Sequence, residues 1–321
     1  YWEFKNNKTP RASVDLDDGI IPKKKFNSSE LQDLLGLLKK TVITELKGDF
    51  ELNVPFRGKT YDVKTGGLHS KDSPGIIKPN EKQSLIDADV SSYYPRLMIE
   101  YKILPAHIDP IFLDVLNNII TERLSAKKQG NMLTSDSLKI VINAIYGKLN
   151  FELGFLYDPM AALKVVINGQ LFLLMLIERL EDKGFKVVSA NTDGVTAFVD
   201  NDKKEEYMNI CSQWEIDTKM ELDYTYYEKI VRNNVNNYMA VTKEGVKTKG
   251  KAFLTKIDLS GGYNSPIVGL AVYNYFINNE SPSFKTIALS IDSNDLFNFN
   301  TGIFGTKYHC RSFGFTVFAG F

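Results

Sequence analysis

The chain has 321 residues, 43% of them hydrophobic, which is enough for two or three lobes with buried cores. It contains no run of eighteen apolar residues and no charged-then-apolar leader, so we expect no membrane span. Two cysteines and three scattered histidines argue against a disulfide framework or a zinc site, and they fit a reducing cytosol. Chemistry must therefore come from carboxylates, hydroxyls and cations.

The net charge is zero, but the charges are unevenly distributed along the chain. Most charged residues within 200–223 are acidic, whereas most charged residues within 229–256 are basic. Domains that bind nucleic acid are often basic overall, so the zero net charge argues mildly against one. A basic run by itself is more typical of a solvated face, and the charges alone do not decide the function.

Local patterns predict a mixed α+β fold with helices on one face of a sheet. An amphipathic helix is predicted over 29–46, where leucines recur at helical spacing. Further predicted helices cover 111–129 and 134–150, joined as a hairpin at Gly130-Asn131, then 159–183, 203–219 and 263–279. Predicted strands cover 84–89, a pair within 186–200 that turns at 191–194, and 224–231 and 238–241.

The first polar cluster ends the strand predicted over 84–89. It reads Asp87-Ala88-Asp89 and continues as Val90-Ser91-Ser92-Tyr93-Tyr94-Pro95. Because side chains alternate along a strand, Asp87 and Asp89 share one face. A capping aspartate with turn serines explains this pattern as well as a site does. In the functional interpretation, one aspartate binds Mg²⁺ and backbone N–H groups of the following turn hold phosphate oxygens.

The second cluster lies on the helix predicted over 134–150. Lys139, Asn143, Tyr146 and Gly147 form one continuous stripe at helical spacing. A lysine can bind phosphate, a tyrosine can stack, and a glycine leaves room for a base, so the stripe makes chemical sense as a nucleotide surface. Arg123, on the other helix of the hairpin, offers a further hydrogen-bond donor to phosphate.

The third cluster is Ser189-Ala190-Asn191-Thr192-Asp193-Gly194, flanked by valines. Taken alone, Asn-Thr-Asp-Gly is explained by an ordinary hairpin turn. The order and spacing of all three clusters change this interpretation. Asp89 lies 50 residues before Lys139, and Asn143 lies 50 residues before Asp193.

In that order the clusters resemble the three polymerase motifs of B-family DNA polymerases. Asp89, Ser92, Tyr94 and Pro95 match Asp-x-x-Ser-Leu-Tyr-Pro-Ser. Lys139, Asn143, Tyr146 and Gly147 match Lys-x-x-x-Asn-Ser-x-Tyr-Gly. Thr192 and Asp193 match part of Tyr-x-Asp-Thr-Asp-Ser, and Lys247-Thr248-Lys249-Gly250 looks like the later basic motif that grips the primer strand. The resemblance covers roughly residues 66–279.

Some positions depart from the family pattern: Tyr93, Arg96, Ala144, Ser189, Asn191 and Gly194. Asn191 stands where the family has an aspartate, but the second aspartate of that motif, here Asp193, makes the essential metal contact. We therefore expect Asn191 to tune metal affinity rather than to abolish catalysis.

The resemblance implies a right-hand polymerase architecture with an antiparallel palm sheet, helical-hairpin fingers and a partial thumb. Residues 1–83 would lead into the palm, which would comprise 84–105 with the first motif and 151–258 with the third and basic motifs. Residues 106–150 would form the fingers and 259–321 the start of the thumb. Residues 1–83 are too few for the 3′–5′ exonuclease that such enzymes usually carry.

The resemblance also assigns roles to individual residues. Asp89 and Asp193 would be the catalytic residues and would hold two Mg²⁺ ions, with the Val90 carbonyl completing a metal shell. The implied nucleotide-binding residues are Ser92, Tyr93, Tyr94, Arg123, Lys139, Asn143 and Tyr146. The implied DNA-binding residues are Gly147, Lys247 and Lys249. Tyr94 would lie against the sugar and leave no room for a 2′-hydroxyl.

The predicted function is template-directed DNA polymerisation, with primer-template DNA and dNTPs as partners and replication accessory proteins as further candidates. The compact motifs favour a virus or mobile element as the source, and hence the host cytoplasm as the location. Two alternatives stay open: an inactive polymerase retained as a DNA-binding scaffold, and a non-enzymatic nucleic-acid-binding module. Convergence of Asp89 and Asp193 on one site favours the enzyme, because a scaffold needs neither carboxylate.

Overall fold

The strands predicted around the two acidic clusters are present and lie in one sheet. The computed structural model describes residues 7–21, 25–44, 50–250 and 266–280. Its strands are β1 (Val14–Asp15), β2 (Val42–Ile43), β3 (Glu51–Phe56), β4 (Lys59–Lys64), β5 (His69–Ser70), β6 (Gly75–Ile77), β7 (Gln83–Val90), β8 (Lys186–Asn191), β9 (Gly194–Asp200), β10 (Leu222–Tyr227), β11 (Lys229–Asn234), β12 (Asn237–Thr242) and β13 (Gly245–Lys249). Its helices are α1 (Ser29–Leu38), α2 (Tyr93–Glu100), α3 (Ile111–Lys128), α4 (Met132–Leu149), α5 (Pro159–Asp182), α6 (Lys204–Thr218) and α7 (Pro266–Ile277). Helices and antiparallel strands are mixed along the chain, as the predicted α+β class requires.

The chain divides into two units. The larger unit comprises Tyr1–Lys71 and Glu81–Thr225, and the smaller unit comprises Asp72–Asn80 and Tyr226–Phe321. These divisions fall at other positions than the bounds expected for palm, fingers and thumb, which remain predictions. Most of the segment expected to begin the thumb, 259–321, lies outside the described residues.

A seven-stranded sheet in the order β10–β7–β9–β8–β5–β4–β3 runs through the larger unit. β9 pairs antiparallel with both β7 and β8, so the two acidic clusters lie on neighbouring strands. Leu85, Ile86 and Ala88 on β7 are all buried although they point to opposite faces. β7 is therefore a central strand that is covered on both sides.

Helix α5 is the core of the larger unit. Asp158 caps it, because its Oδ1 accepts a hydrogen bond from the Met160 N–H at 3.0 Å, and Pro159 occupies the tolerated first position. Within the described part of the chain, α5 is the one helix long and apolar enough to cross a membrane, but 89% of its most apolar window is buried inside the protein. A buried core helix has the same composition, so this helix is weak support for a span.

The predicted helical hairpin is confirmed as α3 and α4. Gly130 has a φ of +74° in the connection, and the Asn131 side chain caps α4 by accepting a hydrogen bond from the Thr134 N–H at 3.2 Å. The buried residues of α4 recur every seven positions, at Ser135, Ile142 and Leu149. The helix therefore buries one narrow edge and leaves most of its surface exposed.

The smaller unit contains a four-stranded sheet in the order β13–β12–β11–β6, in which the neighbouring strands are antiparallel. Val231 and Met239 on the inner strands are buried and pack against Val272 and Phe276 of α7. Arg232 forms an ion pair with Asp72 at 2.8 Å, which ties β11 to the segment that carries β6.

Two local predictions were wrong, and one helix was not predicted. The helix expected over 29–46 ends at Leu38, because Val42 and Ile43 pair as a strand with Asp15 and Val14. The single strand expected over 224–231 is two strands, β10 and β11, which belong to different sheets. The turn expected after the first acidic cluster is present at Ser91-Ser92, and it leads directly into helix α2, which was not predicted and tolerates Pro95 in its first turn. In the two wrong predictions, pairing with a distant strand overrides the local pattern.

Candidate active site

The two residues that carry the predicted catalytic carboxylates, Asp89 and Asp193, are neighbours in the backbone hydrogen bonding. Asp89 stands opposite Gly194 in the β7–β9 ladder, and the Val90 N–H donates to the Asp193 carbonyl oxygen at 2.7 Å. Both aspartate side chains are exposed. Because the Asn191–Gly194 turn joins β8 to β9, Asp193 emerges at the same end of the sheet as Asp89. The structure thus brings the first and third clusters together.

The neighbouring carboxylate, Asp87, has a different environment. It stands opposite Thr196 and accepts a hydrogen bond from the Thr196 hydroxyl at 2.7 Å. It is half-buried, whereas Asp89 is exposed. Asp87 therefore supports the sheet, and Asp89 is the carboxylate exposed at the end of the strand.

Gly194 leaves the space that the Asp89 carboxylate uses. A Cβ atom at position 194 would lie 2.8 Å from Asp89 Oδ1, closer than such atoms approach in folded proteins. The B-family pattern has a serine at this position. The departure from the motif at Gly194 therefore has a direct structural consequence for the position of the Asp89 carboxylate.

On the polymerase interpretation that the resemblance implies, we expect Gly194→Ala to slow nucleotide addition by about 10- to 100-fold while the protein stays folded, because the Asp89 carboxylate must rotate away from its position. The measurement is the single-nucleotide addition rate together with the thermal midpoint. Gly75→Ala is the matched control, since Gly75 is also a strand glycine but has open space around its Cβ position. An unchanged rate in Gly194→Ala would show that the carboxylate position does not matter.

The donor set at this site fits a hard divalent cation. Among the residues that the structure describes, no three or more histidine, cysteine, aspartate or glutamate side chains gather as a metal cluster. Asp89 and Asp193 offer carboxylate oxygens only, and Mg²⁺ is commonly bound by one or two carboxylates together with phosphate and water oxygens. The Val90 N–H links the two segments by its bond to the Asp193 carbonyl oxygen, but the role of the Val90 carbonyl as a metal ligand stays a prediction.

The turn after β7 brings a cation to the first cluster. Ser92 has a φ of +50° and is the N-cap residue of α2. Arg123 on α3 donates a hydrogen bond from Nη1 to Ser92 Oγ at 2.9 Å, and its buried Nε makes no hydrogen bond within the described residues. The guanidinium therefore lies beside the N-terminus of α2, where N–H groups lack helical partners. The positive charge of Arg123 and the N–H groups at the start of α2 both favour the binding of an anion here.

The two adjacent tyrosines have different surroundings. Tyr93 is a core residue whose hydroxyl donates to the Gly169 carbonyl oxygen at 2.6 Å, so its nucleotide role is limited to the backbone. Tyr94 packs its ring against Tyr146 of α4, with centroids 4.5 Å apart. Burial raises the pKa of both Tyr94 and Tyr146 well above the ordinary phenol value, so both rings are uncharged at neutral pH.

The other residues of the α4 stripe are exposed. Lys139, Asn143 and Gly147 lie on the open surface of α4, and Tyr146 links that surface to Tyr94. The apolar residue Ile140 is also 71% exposed. The structure therefore presents the stripe on an accessible helix surface.

The two lysines of the basic motif lie on β13, an edge strand of the smaller unit. Lys247 stands opposite Ala240 and Lys249 stands opposite Tyr238. Both lysines are exposed and point to the same face of the sheet, because they are two residues apart.

Sequence reasoning missed the segment around Gly67, which contacts both the first and the third motif. The Thr192 N–H donates to the Leu68 carbonyl oxygen at 2.7 Å, and His69 pairs with Asn191 across β5 and β8. Gly67 lies against the Tyr94 hydroxyl. The Gly66-Gly67 pair was the available signal, but a glycine pair does not indicate which distant strand it will meet.

The fold and site define an α+β protein in which two acidic strand ends meet beside a helical hairpin. No protein-family model matches the chain. Escherichia coli (strain K12) DNA polymerase II is 28% identical over 165 residues, which cover 44% of this chain and 20% of that protein. Pyrococcus abyssi (strain GE5 / Orsay) DNA polymerase 1 is 24% identical over 168 residues, which cover 41% of this chain and 22% of that protein.

A solved family B DNA polymerase from the hyperthermophilic archaeon Pyrobaculum calidifontis superposes with a TM-score of 0.48 and 15% identity, over 77% of this chain and 37% of that chain. The match spans about a fifth of the length of each curated relative. The resemblance to family B DNA polymerases is thus confirmed as a sequence similarity.

Proposed function

We propose that this chain is the polymerising core of a template-directed DNA polymerase that adds deoxynucleotides to a primer 3′-OH. The observation that carries the proposal is the meeting of Asp89 and Asp193, which are 104 positions apart in the sequence, at one end of adjacent strands. Their backbones are adjacent in the β7–β9 ladder and both side chains are exposed, so one bound divalent cation could be shared by both carboxylates. The sequence similarity to DNA polymerases supports the same proposed function.

Asp89 and Asp193 would hold two Mg²⁺ ions, with a carbonyl oxygen at Val90 as a further ligand. When bound, the ions would lower the pKa of the primer 3′-OH and neutralise the charge of the triphosphate. The chain's own contribution is to keep the two carboxylates adjacent through the β7–β9 ladder. Asn191 ends β8 at the same turn, and its uncharged amide, in place of the family's aspartate, would tune the affinity for metal.

The triphosphate would lie over the N-terminus of α2. The amides of Ser92 and Tyr93 begin that helix, and the Arg123 guanidinium is already oriented toward Ser92. These groups are preorganised, so they stabilise negative charge without reorganising when it develops. Lys139 on the exposed face of α4 would supply a further positive charge.

The sugar and base would contact the two packed tyrosines. Tyr94 presents a neutral, largely buried ring that would lie against the sugar, and Tyr146 and Asn143 would border the base pair. Gly147 has open space at its Cβ position, which leaves room for the DNA.

In this proposal β7, β8 and β9 belong to the palm, the α3–α4 hairpin forms the fingers, and residues from 259 onward begin the thumb. Primer-template DNA and dNTPs are the partners, and replication accessory proteins are further candidates. A viral or mobile-element source and a location in the host cytoplasm remain part of the same proposal.

Lys247 and Lys249 would bind phosphates of the primer strand. We expect the double variant Lys247→Ala/Lys249→Ala to bind primer-template DNA more weakly at every sequence and to lower the salt dependence by about one to two units of slope. Fluorescence anisotropy at several salt concentrations and on unrelated duplexes measures both quantities.

The control for this experiment is Lys203→Ala/Lys204→Ala, which removes two exposed lysines from the acidic segment 200–223. Its affinity and salt slope should match the wild type. A loss of binding by Lys247→Ala/Lys249→Ala on some sequences only would contradict a role in phosphate contact.

Primer extension on a duplex with a single-stranded template tail tests the proposed function. We expect addition of complementary dNTPs that depends on Mg²⁺ and follows the template. Tight binding of the duplex without extension, at any Mg²⁺ concentration, would instead identify an inactive scaffold. Failure to prefer the tailed duplex would identify a general nucleic-acid-binding module.

A further inference from the structure

A short segment that precedes the first motif in the sequence packs against both the first and the third motif. Residues 67–69, here called the 67–69 segment, lie between the tyrosine of the first motif and the turn of the third. Gly67 has a φ of +112°, a conformation that favours glycine. A Cβ atom there would lie 2.9 Å from the Tyr94 hydroxyl oxygen and 3.1 Å from Thr192 Cγ2. The absence of a side chain therefore lets Tyr94 and Thr192 approach the backbone.

The 67–69 segment is bonded to the turn that carries Asp193. The Leu68 carbonyl oxygen accepts a hydrogen bond from the Thr192 N–H at 2.7 Å. His69 pairs with Asn191, and its ring Nε2 lies 3.4 Å from the Thr192 hydroxyl. The position of the 67–69 segment is therefore fixed relative to the turn that carries Asp193.

Tyr94 is held by packing rather than by hydrogen bonding. Its hydroxyl oxygen is buried and makes no hydrogen bond within the described residues. The ring rests on Tyr146 and on the backbone of α5, where a Cβ atom at Gly169 would lie 3.2 Å from Tyr94 Cε1. With the ring confined on these sides, the contact at Gly67 limits how far its hydroxyl end can move.

We propose that Gly67 is a specificity-determining residue that sets the depth of the Tyr94 ring and thereby the choice between deoxyribose and ribose. The inference rests on the proposed polymerase function and on the contact of Tyr94 with the sugar. A side chain at position 67 displaces the hydroxyl end of the ring and moves its edge away from the sugar-facing position. Gly67 acts through Tyr94 and does not itself touch the nucleotide.

The expected result is a change in sugar discrimination. Addition of a dNTP depends on the native ring position, whereas addition of an rNTP is already limited by the clash with its 2′-hydroxyl. We therefore expect Gly67→Ala to lower kcat/KM for a dNTP more than for the matched rNTP, with the ratio of the two falling about tenfold.

Gly66→Ala is the matched control, because Gly66 adjoins Gly67 but nothing lies within 4 Å of its Cβ position. Its ratio should equal that of the wild type. Tyr94→Phe, measured as its own reference, removes the atom nearest to position 67. In the double variant Gly67→Ala/Tyr94→Phe the ratio should return to that of Tyr94→Phe alone, and independent effects of the two changes would overturn the proposal.

Thermal unfolding of each variant separates a folding defect from a change in discrimination, since Gly67→Ala also strains the backbone. Should Gly67→Ala not fold, Thr192→Ser is the second variant: it removes Cγ2 from the packing around Gly67 without that strain, so the backbone at Gly67 confines the hydroxyl end of Tyr94 less firmly, and the ratio should fall about threefold. An unchanged ratio in the folded variant would refute this inference while leaving the polymerase intact. A wild type that adds neither nucleotide would refute the proposed function, and this inference with it.

Discussion

Replacing either Asp89 or Asp193 by alanine should reduce nucleotide addition by about 10³-fold or more and leave the fold intact. Each change removes one of the two carboxylates that meet at the ends of β7 and β9. Both side chains are exposed, so their loss creates no cavity and removes no core contact. Single-nucleotide addition under saturating dNTP gives the rate, and the thermal midpoint reports the fold.

Asp87→Asn is the control for both variants. Asp87 lies on the same strand and face as Asp89, but it is bonded to the Thr196 hydroxyl, which an asparagine oxygen can also accept. We expect this variant to keep a rate within about tenfold of the wild type. If Asp89→Ala or Asp193→Ala extends a primer at nearly the wild-type rate, the assignment of the active site is wrong.

Tyr94→Ala should raise ribonucleotide incorporation relative to deoxynucleotide addition by about 10²-fold. The Tyr94 ring is confined between Tyr146, the backbone at Gly169 and Gly67, so it cannot yield to an extra oxygen without strain. A 2′-hydroxyl placed against it would also lose its water partners. Removing the ring opens the gap and relieves both costs.

The measurement is kcat/KM for one matched dNTP and rNTP on the same template. Tyr101→Ala is the control from the same segment, since the Tyr101 ring packs against Phe172 and its hydroxyl donates to the Thr218 carbonyl oxygen at 2.9 Å. That variant should lose stability and affect both sugars alike. An equal loss for both sugars in Tyr94→Ala would mean that Tyr94 is only a core aromatic.

The strands and turns that carry the candidate carboxylates could be predicted from the sequence. Residues 186–200 resemble a pair of strands rich in valine, and the Asn-Thr-Asp-Gly turn between them is typical of a hairpin, so β8 and β9 followed from local pattern. The α3–α4 hairpin followed from helical spacing and the Gly130-Asn131 connection. Such features depend on residues close in the chain, whose backbone preferences act whatever the rest of the protein does.

The surroundings of the site were decided by contacts between segments that are distant in sequence. Arg123 reaches Ser92 because α3 packs beside α2, and Gly67 reaches Tyr94 and Thr192 because β5 pairs with β8. The same cause ends α1 at Leu38, where the next residues find a partner strand. The free energy of these contacts comes from surface buried between distant residues, and a strand's partner depends on which other surfaces remain to be covered. The sequence alone therefore singled out the candidate site residues, and the tertiary structure decided which side chains surround them.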